Sequence, residues 1–266
     1  KKMADKRQRI GIFDSGLGGT TVLKEMMKAF PNEDYIYYGD NGNFPYGSGK
    51  TRDEIQKLTE RILDFFMKNN CKLVIVACNT ASTAAIDYLR EKFPLPILGI
   101  VEAGIKIARK NTKTKNIAVI STKFTAESHG YKNKAKMIDT ELNVKEIACV
   151  EFPMMIETGW ETFDNREELL NKYLAEIPKN VDTLVLGCTH YPLIIKDIEN
   201  HTNLKVVDPA VQIVDKVKQT LGSLELLNDK KTKGKKIFFV TGETYHFKPT
   251  AEKFLGEEIE VYRIPK

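Results

Sequence analysis

The chain holds only four cysteines in 266 residues, Cys71, Cys78, Cys149 and Cys188. That is too few for a disulfide scaffold, and with no C-x2-C pair there is no ordinary zinc motif. Thiols left unlinked point to a cytoplasmic, reducing location. No apolar run approaches the roughly 20 residues of a membrane-spanning helix. No apolar core follows the basic N-terminus, so neither a membrane anchor nor a secretory signal is expected. Charge of one sign is lacking as well: 41 basic residues face 36 acidic ones for a net +5, a balance that requires no nucleic-acid partner. The lysine-rich piece 229–236, DKKTKGKK, reads as a solvated turn ahead of a strand. Two phosphate motifs are approached and missed. In Asp14-Ser15-Gly16-Leu17-Gly18-Gly19 the last glycine of G-x-G-x-x-G would fall at Thr21. Before Gly49-Lys50-Thr51 the P-loop glycine is replaced by Phe44.

What is present is the composition of a globular protein, 42 % hydrophobic and 29 % charged, at a length that allows one large domain or two of about 100–150 residues. Lys1-Lys2 precede Met3 and read as a remnant outside the fold. Two stretches echo each other: Leu73 to Ala81, LVIVACNTA, and Thr183 to Pro192, TLVLGCTHYP. Each is a β-favouring apolar run of the kind buried parallel strands show. Each ends at a cysteine, where open α/β sheets bind ligands beyond their strands' carboxyl ends. The echo extends along the chain. Ile117 to Thr122 repeats the rhythm of Ile10 to Ser15, and Cys188 follows Cys78 by 110 positions. The stretch around Val144 to Val150 answers Asp34 to Tyr38, and Leu204 to Asp208 answers Pro96 to Val101 (PILGIV), read as a strand. Four strands recurring in order predict two similar, pseudosymmetric open-sheet α/β domains. A helix is expected from about Ser82 to Lys92, and strands at Lys236 to Thr241 and Ile259 to Ile264. The glycine-rich loop after Phe13 joins a strand to a helix, where backbone N–H groups receive anions. Asp14 in that loop would repel a phosphate, so the site suits a base or an ammonium partner.

Several chemistries use two thiols. A structural zinc would take four ligands, of which Cys78, Cys188 and His190 supply three at most. A Cys-His hydrolase needs one thiolate and leaves Cys78 idle. Buried structural cysteines are the plain alternative. Inversion at a carbon without a cofactor needs a base on one face and an acid on the other, which one cysteine from each half meets directly.

The motifs Phe13-Asp-Ser-Gly-Leu-Gly-Gly19, Pro45-Tyr-Gly47, Cys78-Asn-Thr-Ala81 and Gly187-Cys-Thr-His-Tyr-Pro192 resemble the set found in the glutamate racemases of the aspartate/glutamate racemase family, in order and spacing from about residue 10 to 210. The resemblance implies a cofactor-independent isomerase that interconverts L- and D-glutamate and supplies D-glutamate for peptidoglycan, hence cell-wall biogenesis and cell shape. It implies an active site in the cleft between two α/β domains, 1–100 plus 210–266 and 101–209, and a homodimer with no metal. Carried over residue by residue, Cys78 and Cys188 are the two bases, acting on D- and L-glutamate respectively, with Asp14 assisting Cys78 and His190 assisting Cys188. Ser15, Asn79, Thr80 and Thr189 hold the α-amino and α-carboxylate groups, and Asp14 and His190 are counted among the substrate contacts as well. Pro45, Tyr46 and Gly47 take the side-chain carboxylate, Thr122 is a further ligand, and Glu157 supports His190. Where the family often reads Cys-Pro-Leu-Phe-Val-Pro-Leu-Val-Glu, this chain has Cys149-Val-Glu-Phe-Pro-Met-Met-Ile-Glu157, and Ala103 stands where a proline is common. Relatives acting on aspartate, or a non-catalytic module binding an acidic metabolite, would use the same cleft.

Overall fold

A computed structural model describes residues 4–266; Lys1 and Lys2 lie outside the described residues. Among the described residues the apolar runs fold as ten strands: β1 (Ile10–Asp14), β2 (Tyr35–Gly39), β3 (Leu73–Val76), β4 (Ile97–Gly99), β5 (Asn116–Ser121), β6 (Asn143–Ala148), β7 (Thr183–Gly187), β8 (Lys205–Val207), β9 (Lys236–Val240) and β10 (Val261–Arg263). They form two sheets, one ordered β10-β9-β2-β1-β3-β4 and one ordered β6-β5-β7-β8, with every pairing parallel. Strands β1, β3 and β7 are buried along their whole length. Helices cover both faces of such strands, which is why they read as continuous rather than alternating apolar runs.

The order β2-β1-β3-β4 in the larger sheet recurs as β6-β5-β7-β8 in the smaller, so the repeat seen in the sequence is a repeat of topology. The tail adds what the smaller unit lacks. Strand β9 pairs with β2 (Tyr37 opposite Phe238), and β10 pairs with β9. One apolar cluster runs through both units and joins Leu98, Ile105, Val119, Val185, Ile213 and Phe238.

Two local expectations shift. The helix after β3 spans Asn79–Lys92 rather than starting near Ser82. Cys78 is its N-cap, with Sγ accepting from the Ala81 N–H at 3.4 Å, so the small polar residues that read as loop are the first turn. In PILGIV only Ile97–Gly99 is strand; Ile100 and Val101 open the helix Ile100–Asn111, because Ile105 and Ala108 extend their apolar face at helical spacing. Among the described residues no helix is long and apolar enough to cross a membrane.

Candidate active site

Equivalent strands deliver equivalent residues. Asp14 and Ser15 close β1 and Cys78 follows β3; in the second unit Thr122 follows β5 and Cys188 follows β7. The carboxyl ends of both sheets face each other across a small cavity of about 90 Å³. Ser15, Pro45, Tyr46, Gly47, Cys78, Asn79, Thr80, Thr122, Cys188, Thr189 and His190 line it. Two residues named from the sequence lie outside this lining. Asp14 sits beneath it, fully buried, and Glu157 lies behind His190. Phe44, Ser48, Val150, Pro153 and Met154 complete the wall and were not foreseen. Val150 and Met154 are half-exposed apolar side chains at the mouth, and nothing in the sequence marks them.

The two thiols meet different surroundings. Cys188 Sγ stands 3.7 Å from His190 Nδ1, and His190 Nε2 meets the Glu157 carboxylate in a short contact. Burial alone would push the His190 imidazole down, but the Glu157 carboxylate and the Cys188 thiol outweigh it and raise its pKa well above 6.5. A cation is thereby held against Cys188. Cys78 donates to Ser15 Oγ at 3.6 Å. Its thiol is pushed up to about 12, first by burial and then by the Asp14 carboxylate, and the Ala81 N–H and Ser15 hydroxyl do not offset this. Asp14 bonds away from Cys78: its carboxylate accepts from the Gly16 N–H at 3.0 Å and from Thr189 Oγ1 at 3.0 Å. Burial raises its pKa, against the pull of His190 and these donors.

The site is tied shut across the units. Glu157 accepts from the Leu17 N–H at 3.2 and 3.3 Å, and Thr80 Oγ1 meets Thr122 Oγ1 at 2.8 Å. Gly47 presses on Thr122, where an added Cβ would lie 2.3 Å from the threonine Cβ, so only glycine lets that loop approach. The loop has its own support. Tyr46, fully buried, donates to Asp40, which also accepts from Asn43 Nδ2 at 2.9 Å and from Thr241 Oγ1 at 2.6 Å. Thr241 follows β9, so the returning tail underpins the substrate loop.

A larger cleft, about 540 Å³, lies between the helices Ile100–Asn111 and Pro209–Ser223. It offers no cysteine or histidine, and its Lys106, Arg109 and Lys110 are already paired with Glu102, Asp139 and Asp215. Both cysteines and His190 line the smaller cavity instead. Among the described residues no three His, Cys, Asp or Glu side chains gather as a metal site.

The Asp/Glu/Hydantoin racemase family model matches residues 10–217. A glutamate racemase of Fusobacterium nucleatum is 83 % identical over 264 residues, covering 99 % of this chain and 100 % of that protein. The crystal structure of a glutamate racemase isoform from Bacillus anthracis superposes with a TM-score of 0.93 at 32 % identity, covering 97 % of this chain and 98 % of that one. The Francisella tularensis glutamate racemase, solved in complex with D-glutamate, gives 0.90 at 32 % identity over 98 % of both chains. With paired thiols at equivalent strand ends and this likeness over nearly the whole chain, the protein belongs to the Asp/Glu/Hydantoin racemase family and groups within it with the glutamate racemases.

Proposed function

We propose that this protein interconverts L- and D-glutamate by proton transfer at the α-carbon, with Cys188 and Cys78 as the bases on opposite faces, and so supplies D-glutamate for peptidoglycan. The observation that carries this is the pair of thiols brought by equivalent strands into one cavity. From L-glutamate, the Cys188 thiolate takes the Cα proton while the bond's electron pair passes into the α-carboxylate. Cys78, a thiol by virtue of its burial, then delivers its proton to the other face. The reverse run starts at Cys78. Each thiol therefore begins the cycle in the opposite protonation state to the other.

The remaining roles follow the local chemistry. His190, kept cationic by Glu157, steadies negative charge on Cys188, and Asp14, below the floor, serves Cys78 and the substrate ammonium. Ser15, Asn79, Thr80 and Thr189 hold the α-substituents, with His190 beside them and Thr122 closing the far wall. The turn Pro45-Tyr46-Gly47 receives the side-chain carboxylate. We assign residues 1–100 plus 210–266 to one domain and 101–209 to the other, and a homodimer as the assembly. A cytoplasmic location accords with four free cysteines. The test is circular dichroism of L- and D-glutamate incubated with protein and reductant without added cofactor. Both signals decay if the reading is right; decay of aspartate alone moves the specificity, and no decay with folded protein removes the function.

The Glu157–His190 pair gives a pH prediction. In Glu157→Gln the carboxylate that outweighs burial is gone, so the His190 pKa falls, and the alkaline limb of activity moves to lower pH. Loss of one charge-assisted hydrogen bond predicts a decrease in kcat/KM of about 10- to 100-fold at neutral pH. Imidazole titration by NMR reads the shift directly. The sign for stability agrees: a histidine raised in the fold stabilises below pH about 6.5, and that contribution is lost as pH rises through the folded value.

A further inference from the structure

We infer that Tyr131, which touches neither thiol, is a positioning residue that locks the amide of Asn79 with its NH2 toward the cavity, making Asn79 the donor to the substrate's α-carboxylate. The inference rests on the proposed glutamate reaction and assigns one contact within it.

Tyr131 belongs to the helix Gly130–Ile138 of the second unit and is fully buried. Its hydroxyl donates to Asn79 Oδ1 at 2.5 Å, across the boundary between the units. Asn79 opens the helix capped by Cys78 and lines the cavity. With Oδ1 held by the Tyr131 hydroxyl, the NH2 is the end of the amide left for the cavity, which suits a carboxylate better than an ammonium.

The bookkeeping of protons disfavours the opposite orientation. If the amide were reversed, its NH2 would donate to Tyr131, and the tyrosine proton would need another acceptor. Among the described residues the hydroxyl bonds to nothing but Asn79, so reversal would strand a fully buried O–H, which folded proteins avoid. Burial also pushes the tyrosine ionisation well above its usual value, so the hydroxyl remains a donor.

Tyr131 is itself held rigidly. Glu146 Oε1, nearly buried, accepts from the Tyr131 N–H at 3.0 Å and the Lys132 N–H at 3.4 Å. The ring lies against Gly104, where an added Cβ would come within 2.6 Å of it. A donor so fixed transmits the second unit's position to a substrate-binding amide of the first.

Tyr131→Phe keeps the ring and removes only the hydroxyl. Expected is a fall in kcat/KM for both glutamate enantiomers of about threefold to tenfold, seen in KM because the carboxylate is charged already in the bound substrate and in kcat because it takes on further charge as Cα is deprotonated. The thermal midpoint stays near that of the native protein. In an Asn79→Ala background the same substitution shifts kcat/KM by less than about twofold, since the group it acts through is gone. Native protein that racemises glutamate while Tyr131→Phe leaves kcat/KM unchanged overturns the role of Tyr131 alone. So does an equal loss in the Asn79→Ala background. Native protein that neither binds nor racemises glutamate overturns the reading beneath it and this inference with it.

Discussion

Cys78→Ala and Cys188→Ala each remove glutamate racemisation in both directions, by about 10²- to 10⁴-fold, the contribution of one positioned acid or base. Both directions fail in each variant because one turnover uses both thiols, one to take the proton and one to give it. The two act as a unit, so the double variant falls little further than either single one. Neither change disturbs the fold much: a thiol becomes a methyl at a cavity wall, with Cys78 and Cys188 5 % and 6 % exposed. Cys78→Ala also deletes the sulfur that caps the following helix, where its acceptor role to Ala81 is a weak one. Circular dichroism of glutamate alongside thermal melts checks the pair. A single variant that keeps native rates in one direction would remove that cysteine from the mechanism.

Lys72→Met is expected to destabilise the protein by about 3–5 kcal/mol, the penalty for leaving a buried charge without its partner. The Lys72 side chain is 0 % exposed and that of Glu33 is 2 % exposed, with Nζ and Oε2 at 2.6 Å. The ammonium also donates to Lys6 O at 2.7 Å and Leu226 O at 2.8 Å. Glu33 in turn accepts from the Asn228 N–H at 2.8 Å. This cluster fastens the N-terminal segment and the chain entering β9 to the base of the larger sheet. Because β9 carries Thr241, which supports Asp40 and Tyr46, loosening the tail also loosens the substrate loop. The thermal midpoint should drop by about 6–20 °C, at 2–4 °C per kcal/mol for a chain of this size. Removing both charges in Lys72→Met/Glu33→Leu should recover part of the loss. A drop below about 2 °C in the single variant would show that the pair does not anchor the tail.

The sequence made some of this legible and hid the rest for physical reasons. Parallel strands buried on both faces leave unbroken apolar runs, so β1, β3, β5 and β7 were readable, along with the cysteines at the ends of β3 and β7. The repeat was readable because duplicated topology repeats spacing. Tyr131, Lys72 and Asp40 were not, since each acts through a partner distant in the chain or through a buried bond that leaves no periodic trace. Phe44, whose ring lies tilted 5.4 Å from that of His190, shows in the sequence only as a residue that spoils a P-loop. The helix start at Asn79 is hidden in the sequence because Asn-Thr-Ala-Ser looks like a loop unless Cys78 is known to cap it. Glu157 was readable as support for His190, whereas its second bond, to the Leu17 N–H, joins two units and could not be.

The most direct test of the two-thiol account is racemisation of a single glutamate enantiomer in D2O, stopped early, with deuterium at Cα measured in product and in remaining substrate. Two bases on opposite faces predict product fully deuterated at Cα, because the delivered proton comes from a thiol equilibrated with solvent. The remaining substrate should carry almost none. Product that retains the original hydrogen, or substrate that exchanges as fast as product forms, would mean one group serves both faces and would contradict the account.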